Sequence, residues 1–128
     1  MSGGNDRFTY LLLHCDGTNG STSFPDASQS NHALTAYGTA AVSTAQSKFG
    51  GASLSADGTV NSYLETPDSI DWNLLNGEGT IDLWVYLNSL ANFTTLITAG
   101  GTGNWAIYIY GTGVNLGELE SEFLELTK

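Results

Sequence analysis

Apolar and polar residues alternate with a period of two along most of the chain up to about residue 110. That is the spacing of strands whose side chains point to opposite faces. Tyr10-Leu11-Leu12-Leu13-His14-Cys15 reads as a first, buried strand, closed by the turn Asp16-Gly17-Thr18-Asn19-Gly20. A loop of small polar residues runs from Ser21 to Asn31, followed by a short strand around Ala33 to Tyr37. Phe49 to Leu54 is next, and Asp57-Gly58 is a strong turn signal. Tyr63-Leu64-Glu65-Thr66 reads as a strand stopped by Pro67, which cannot donate to a central ladder. Thr80 to Leu87 places Ile81, Leu83, Val85 and Leu87 on one face and Asp82, Trp84 and Tyr86 on the other. With both faces apolar, that strand is expected to be covered on each side, as in the middle of a sandwich. Phe93 to Ala99 and Trp105 to Tyr110 complete the set, separated by the glycine-rich stretch 100–104.

The pattern changes after residue 115. Leu116, Leu119, Phe123 and Leu126 have helical spacing, with acids toward the start and Lys128 at the end, as the helix dipole favours. The reading is a short amphipathic helix over residues 116–126, whose stripe of Leu116, Leu119, Phe123 and Leu126 makes an oligomer contact or packs on its own sandwich. The expected fold class is therefore all-β with a short C-terminal helix, in a single domain spanning residues 1–128 with its core at 8–110.

Composition supports a packed domain: 41% of the residues are hydrophobic, and sixteen glycines against two prolines suit short strands with many tight turns. Thirteen acids face only Arg7, Lys48 and Lys128, for a net charge of −10. Nucleic-acid binders need clustered Lys and Arg, and anionic membranes repel such a surface, so neither is an expected partner. Cys15 is the sole cysteine, which excludes an intrachain disulfide and a cysteine-rich zinc site, and an inert, buried thiol is expected there. The N-terminus lacks the basic and apolar regions of a signal peptide, and no apolar run has the length of a membrane span. No serine lies in a nucleophile elbow, and no glycine-rich phosphate loop precedes a helix.

Five segments carry a resemblance. The run Leu11-Leu12-Leu13-His14-Cys15-Asp16-Gly17-Thr18-Asn19-Gly20-Ser21-Thr22 resembles the opening strand and turn of laminin G-like domains, which have a concanavalin A-like jelly-roll β-sandwich. Asp26-Ala27-Ser28 through Asn31-His32, Ser47 to Leu54, Pro67-Asp68-Ser69 and Gly79 to Tyr86 are similar to further segments of that family, in the family's order. The resemblance implies a non-catalytic module of the sort found in phage virion proteins, as a capsid decoration or tail appendage, with virion localisation. The family's last strands have no counterpart here, which implies a sandwich completed by another copy of the chain or by another virion protein, or else a reduced version of the fold. A carbohydrate-binding or adhesion module is the alternative, with cell-surface glycan as its partner.

Three sets of residues bear on chemistry. Asp16, Asp26 and Asn31 supply hard oxygens from two neighbouring loops for calcium, which takes six to eight oxygen ligands, although Asp and Asn also serve as plain turn formers there. Trp72, Asn73 and Asn104 are the loop residues expected to meet a glycan, while the strand aromatics are expected in the core. Glu118, Glu120 and Glu122 resemble the acidic strand of endoglucanases, and as a strand they would share one face. Their helical setting favours a non-catalytic tail.

Overall fold

The computed structural model describes residues 6–74, 78–89, 93–100, 105–110 and 124–127. Apart from one 3-10 turn their regular elements are strands, so the chain is all-β in class, and among the described residues these strands form four small antiparallel pairs. The chain divides into two compact units, residues 1–67 and 68–128.

In the N-terminal unit, β1 (Thr35–Tyr37) pairs with β4 (Tyr63–Glu65), and β2 (Ala41–Ser43) pairs with β3 (Ser53–Ser55). The β2–β3 pair is thus nested in sequence inside the β1–β4 pair. Period two decides which side chains go in. Ala36 and Leu64 alternate with exposed neighbours and pack against a cluster of Phe24, Val42 and Ala52, which Cys15 and Leu34 also touch. Burying Phe24 and Val42 contributes about 1.5–3 kcal/mol each, a modest core for two short sheets. The outer edge of β2 is not open, because the Gly20 amide donates to the Val42 carbonyl at 2.7 Å and the Val42 amide to the Ser21 carbonyl at 2.7 Å.

The segment Tyr10–Cys15, expected as a buried strand, belongs to no ladder. Its backbone partners lie in the loop that follows it: the Ala27 amide donates to the Leu12 carbonyl, and Leu12 itself donates to a carboxylate. Cys15 ends the extended run with φ of +54°, a left-handed conformation uncommon for a residue with a side chain. Its thiol is half-buried rather than buried, and burial is the main reason its pKa lies above the ordinary thiol value.

In the C-terminal unit, Ser69 caps a single 3-10 turn, η1 (Ile70–Trp72), its Oγ accepting from the Asp71 amide at 3.2 Å. β6 (Phe93–Ala99) and β7 (Trp105–Tyr110) pair as expected, with a bulge between Thr95 and Ile97. That extra residue lets the consecutive Leu96 and Ile97 both sit half-buried, which a regular pleat forbids. Trp105 Nε1 donates to the Trp72 carbonyl at 2.7 Å, tying the start of β7 to η1.

Two further expectations are corrected here. The Thr80–Leu87 strand is ordered as a ladder only over β5 (Thr80–Leu83), and Trp84 and Tyr86 are not covered, at 47% and 52% exposure. The partner of β5 is β8 (Leu124–Thr127), in the segment read as helix. Leu126 therefore stands opposite Ile81 in an antiparallel ladder instead of on a helical stripe. A ladder gives every second backbone group of both strands a partner, whereas an isolated helix of that length is marginal. Leu116, Leu119 and Phe123 lie outside the described residues.

Candidate functional site

The outer face of β1 and β4 carries the most distinctive surface of the N-terminal unit. Because Ala36 and Leu64 point to the core, Thr35, Tyr37, Tyr63 and Glu65 all point outward. Tyr37 and Tyr63 stand opposite one another in the register, and their rings stack with centroids 4.9 Å apart and planes 25° apart. Both rings remain open to solvent, at 40% and 44% exposure. Glu65 is the diagonal neighbour of Tyr37, within the reach of long side chains across a pair. The Glu65 carboxylate raises the Tyr37 phenol above its ordinary pKa, through hydrogen bonding first and then through its charge.

A polar knot at the end of the strands fixes this register. Gly38, at φ +62°, turns the chain out of β1. The Thr39 amide donates to Ser62 Oγ at 3.0 Å, the two hydroxyls lie 2.8 Å apart, and the Asp57 amide donates to Thr39 Oγ1 at 3.2 Å. Asp57 Oδ1 in turn accepts from the Thr59 amide at 2.9 Å and from the Thr59 hydroxyl at 2.8 Å. Those donors, the Thr59 amide first, hold the Asp57 carboxyl down at about 2. Asp57-Gly58 is thus the turn its sequence announces, and it also anchors the loop that delivers Tyr63.

The residues singled out from sequence fare differently. Asp26 is 5% exposed and both its oxygens are engaged. Oδ1 accepts from the amides of Leu12 at 3.0 Å and Ser28 at 2.9 Å; Oδ2 accepts from the Ser28 hydroxyl at 2.8 Å and the His32 amide at 2.8 Å. Burial alone would raise its carboxyl, but the four donors outweigh it and the pKa is lowered. The donors turn their positive ends toward the oxygens, so Asp26 acts as a structural acceptor and is poorly disposed to hold a cation. Asp16 and Asn31 are exposed, and Asn31 adopts φ of +49°, as Asn tolerates in turns. Among the described residues no three His, Cys, Asp or Glu side chains gather as a metal set.

Trp72 and Asn73 are half-buried around η1, where Trp72 accepts from Trp105 and the Asn73 amide closes the turn on the Ile70 carbonyl. Both bonds use their backbones, and Asn104 lies outside the described residues. Glu118, Glu120 and Glu122 lie outside them as well. Tyr37, Tyr63 and Glu65 were not singled out from sequence. The alternation within each strand puts positions 35 and 37, and 63 and 65, on a common face, but which strand pairs with which is not written in either. Among the described residues no helix is long and apolar enough to cross a membrane. Comparison with protein-family models, with curated proteins and with solved structures finds no match to the chain.

Proposed function

We propose that the chain is a non-catalytic structural module that presents its surface within a homo- or hetero-oligomer, in the manner of the laminin G-like domains that serve as virion decoration or tail appendage proteins. The observation that carries this reading is the distribution of apolar side chains in the N-terminal unit. Phe24, Ala40, Val42 and Ala52 are buried, while Phe8, Phe49 and Val60 are 66%, 68% and 89% exposed and Tyr10, Tyr37 and Tyr63 are also open. A surface richer in large apolar groups than the core beneath it is characteristic of a subunit whose cover comes from elsewhere. Light scattering on the purified chain tests the reading. Association at micromolar concentration, with a melting temperature that rises with concentration, is expected. A stable 13.5 kDa monomer with a concentration-independent melting temperature overturns it.

A carbohydrate-binding module is the second reading, and the open, stacked Tyr37–Tyr63 pair is what favours it, since sugar rings lay their C–H faces on exposed aromatics. A glycan array run with and without a chelator tests both that reading and its calcium-assisted form.

A further inference from the structure

We propose that the outer face of β1 and β4 is a receptor for an arginine side chain of a partner protein, the guanidinium lying on an open face of the stacked Tyr37–Tyr63 pair with its edge toward the Glu65 carboxylate. The proposal rests on the reading of the chain as an assembly module, because the cation has to come from another protein. The chain's one arginine, Arg7, already lies over the Phe8 ring, 4.6 Å from its centroid.

Three observations converge on a cation as the occupant. The first is the stacked pair of rings, whose inner faces cover one another while the rest stays exposed. Stacking at 4.9 Å pins both rings to one orientation while leaving them 40% and 44% exposed, so little side-chain entropy remains to be lost when a flat group settles on them. The second is the Glu65 carboxylate, set diagonally across the pair from Tyr37 and close enough to raise its phenol. The third is charge. Glu65 stands on the same face, and Asp57, held ionised by Thr59, is anchored to Thr39 two residues beyond Tyr37. The unit around them, residues 1–67, carries Asp6, Asp16, Asp26, Asp57 and Glu65 against Arg7 and Lys48. Arginine fits this face better than lysine, because a planar guanidinium can stack on a ring and bond a carboxylate with its edge at once. A neutral sugar would use the rings but draw nothing from the charge.

The experiment is a titration of the isotope-labelled full chain, followed by NMR, with three small probes at low salt: Nα-acetyl-arginine methylamide, its neutral citrulline isostere, and a methyl hexopyranoside. The arginine probe is expected to shift the Tyr37, Tyr63 and Glu65 resonances saturably, with millimolar affinity, while citrulline leaves them nearly still. Added salt should weaken the shifts, since the charges are exposed. Glu65→Gln, which keeps the strand and its size, should weaken binding by about threefold, in line with the loss of one exposed ion pair. Tyr63→Leu, which removes a ring face, should abolish it, and unchanged amide dispersion will show that β4 is still formed. Equal shifts from citrulline overturn the proposal, as does a response confined to another face. Shifts from the hexopyranoside without any from arginine also overturn it and transfer the face to the carbohydrate reading. Light scattering on the same samples separates this outcome from the fate of the assembly reading, because the chain can associate through Phe8 or Phe49 whether or not this face takes arginine.

Discussion

Asp26 is the residue on which the N-terminal unit depends most for its loops, and replacing it with Asn is the sharpest test of how that unit is held. The carboxylate joins three stretches of chain: Leu12 from the extended apolar run, Ser28 from the loop, and His32 just before β1. In Asp26→Asn the amide oxygen can keep the Leu12 and Ser28 amides. The new NH2 group then faces the Ser28 hydroxyl, which can turn its own proton to the Tyr10 carbonyl it already touches at 3.2 Å, and the His32 amide, which cannot turn. One donor is left facing another donor, and the charge that strengthened the remaining bonds is gone. An unsatisfied buried donor costs about 1–3 kcal/mol and the lost charge assistance adds to it, so about 2–3 kcal/mol is expected from urea unfolding at neutral pH. Acid gives an independent check. The carboxyl's pKa is lowered by folding from its ordinary 3.8, so its stabilisation is complete above that value and is lost as pH falls through the lower, native one. The variant has no such group, and the gap between the two proteins should close as pH drops below 3.8. A cost under about 0.5 kcal/mol, in the range of an ordinary surface change, or a gap that widens in acid would refute the hub.

Gly38→Ala should destabilise by about 2 kcal/mol or more, since its Cβ would meet the Asn61 carbonyl oxygen and lie 2.7 Å from Ser62 Oγ at a φ of +62°; thermal unfolding followed by circular dichroism reads this. Trp105→Phe removes the 2.7 Å bond to the Trp72 carbonyl and should cost about 1 kcal/mol in denaturant unfolding, with Trp72 fluorescence reporting the loosened turn. Removing residues 124–128 deprives β5 of its ladder partner, so the amides of Thr80–Leu83 should exchange with solvent markedly faster, while those of β6 and β7 keep their protection.

Sequence patterning placed β4 within a residue although its partner β1 is distant, missed β2 although its partner β3 is near, and was most exact for β6 and β7. β6 and β7 begin and end where alternation and the glycine stretch put them, because two strands joined by a short connection need no information from elsewhere. The bulge between Thr95 and Ile97 has a visible sign, the apolar doublet Leu96-Ile97 that breaks the alternation. The length of β5 was not legible. Apolar residues continue to Leu87, but a ladder extends only as far as its partner does, and β8 offers four residues. The tail itself admits two periods: Leu116, Leu119, Phe123 and Leu126 fit a helix, while Leu124 and Leu126 fit a strand. The choice fell to a segment some forty residues away in sequence that the tail alone does not identify.

The same distinction separates the candidate sites. Asp26-Ala27-Ser28 has the spacing of an Asx turn, and the Ser28 amide bond to Asp26 is that local feature. The bonds from Leu12 and His32 are what convert a turn former into a buried acceptor, and they depend on the apolar run docking beside the loop. A carboxylate ringed by amides and one awaiting a cation look alike in sequence, because the acid is visible there and its donors are not. Tyr37 and Tyr63 were expected in short strands, yet a whole hairpin, β2–β3, lies between them in the chain. Their stacking, and the presence of Glu65 beside them, follow only once β1 and β4 close around that hairpin and the Thr39–Ser62 bonds fix the register. Shifting that register by one residue would send Tyr63 and Glu65 inward and Leu64 out. The polar knot and the aromatic face therefore stand or fall together. Ser62→Ala should accordingly diminish the Tyr37–Tyr63 ring-current shifts seen by NMR, although it touches neither ring.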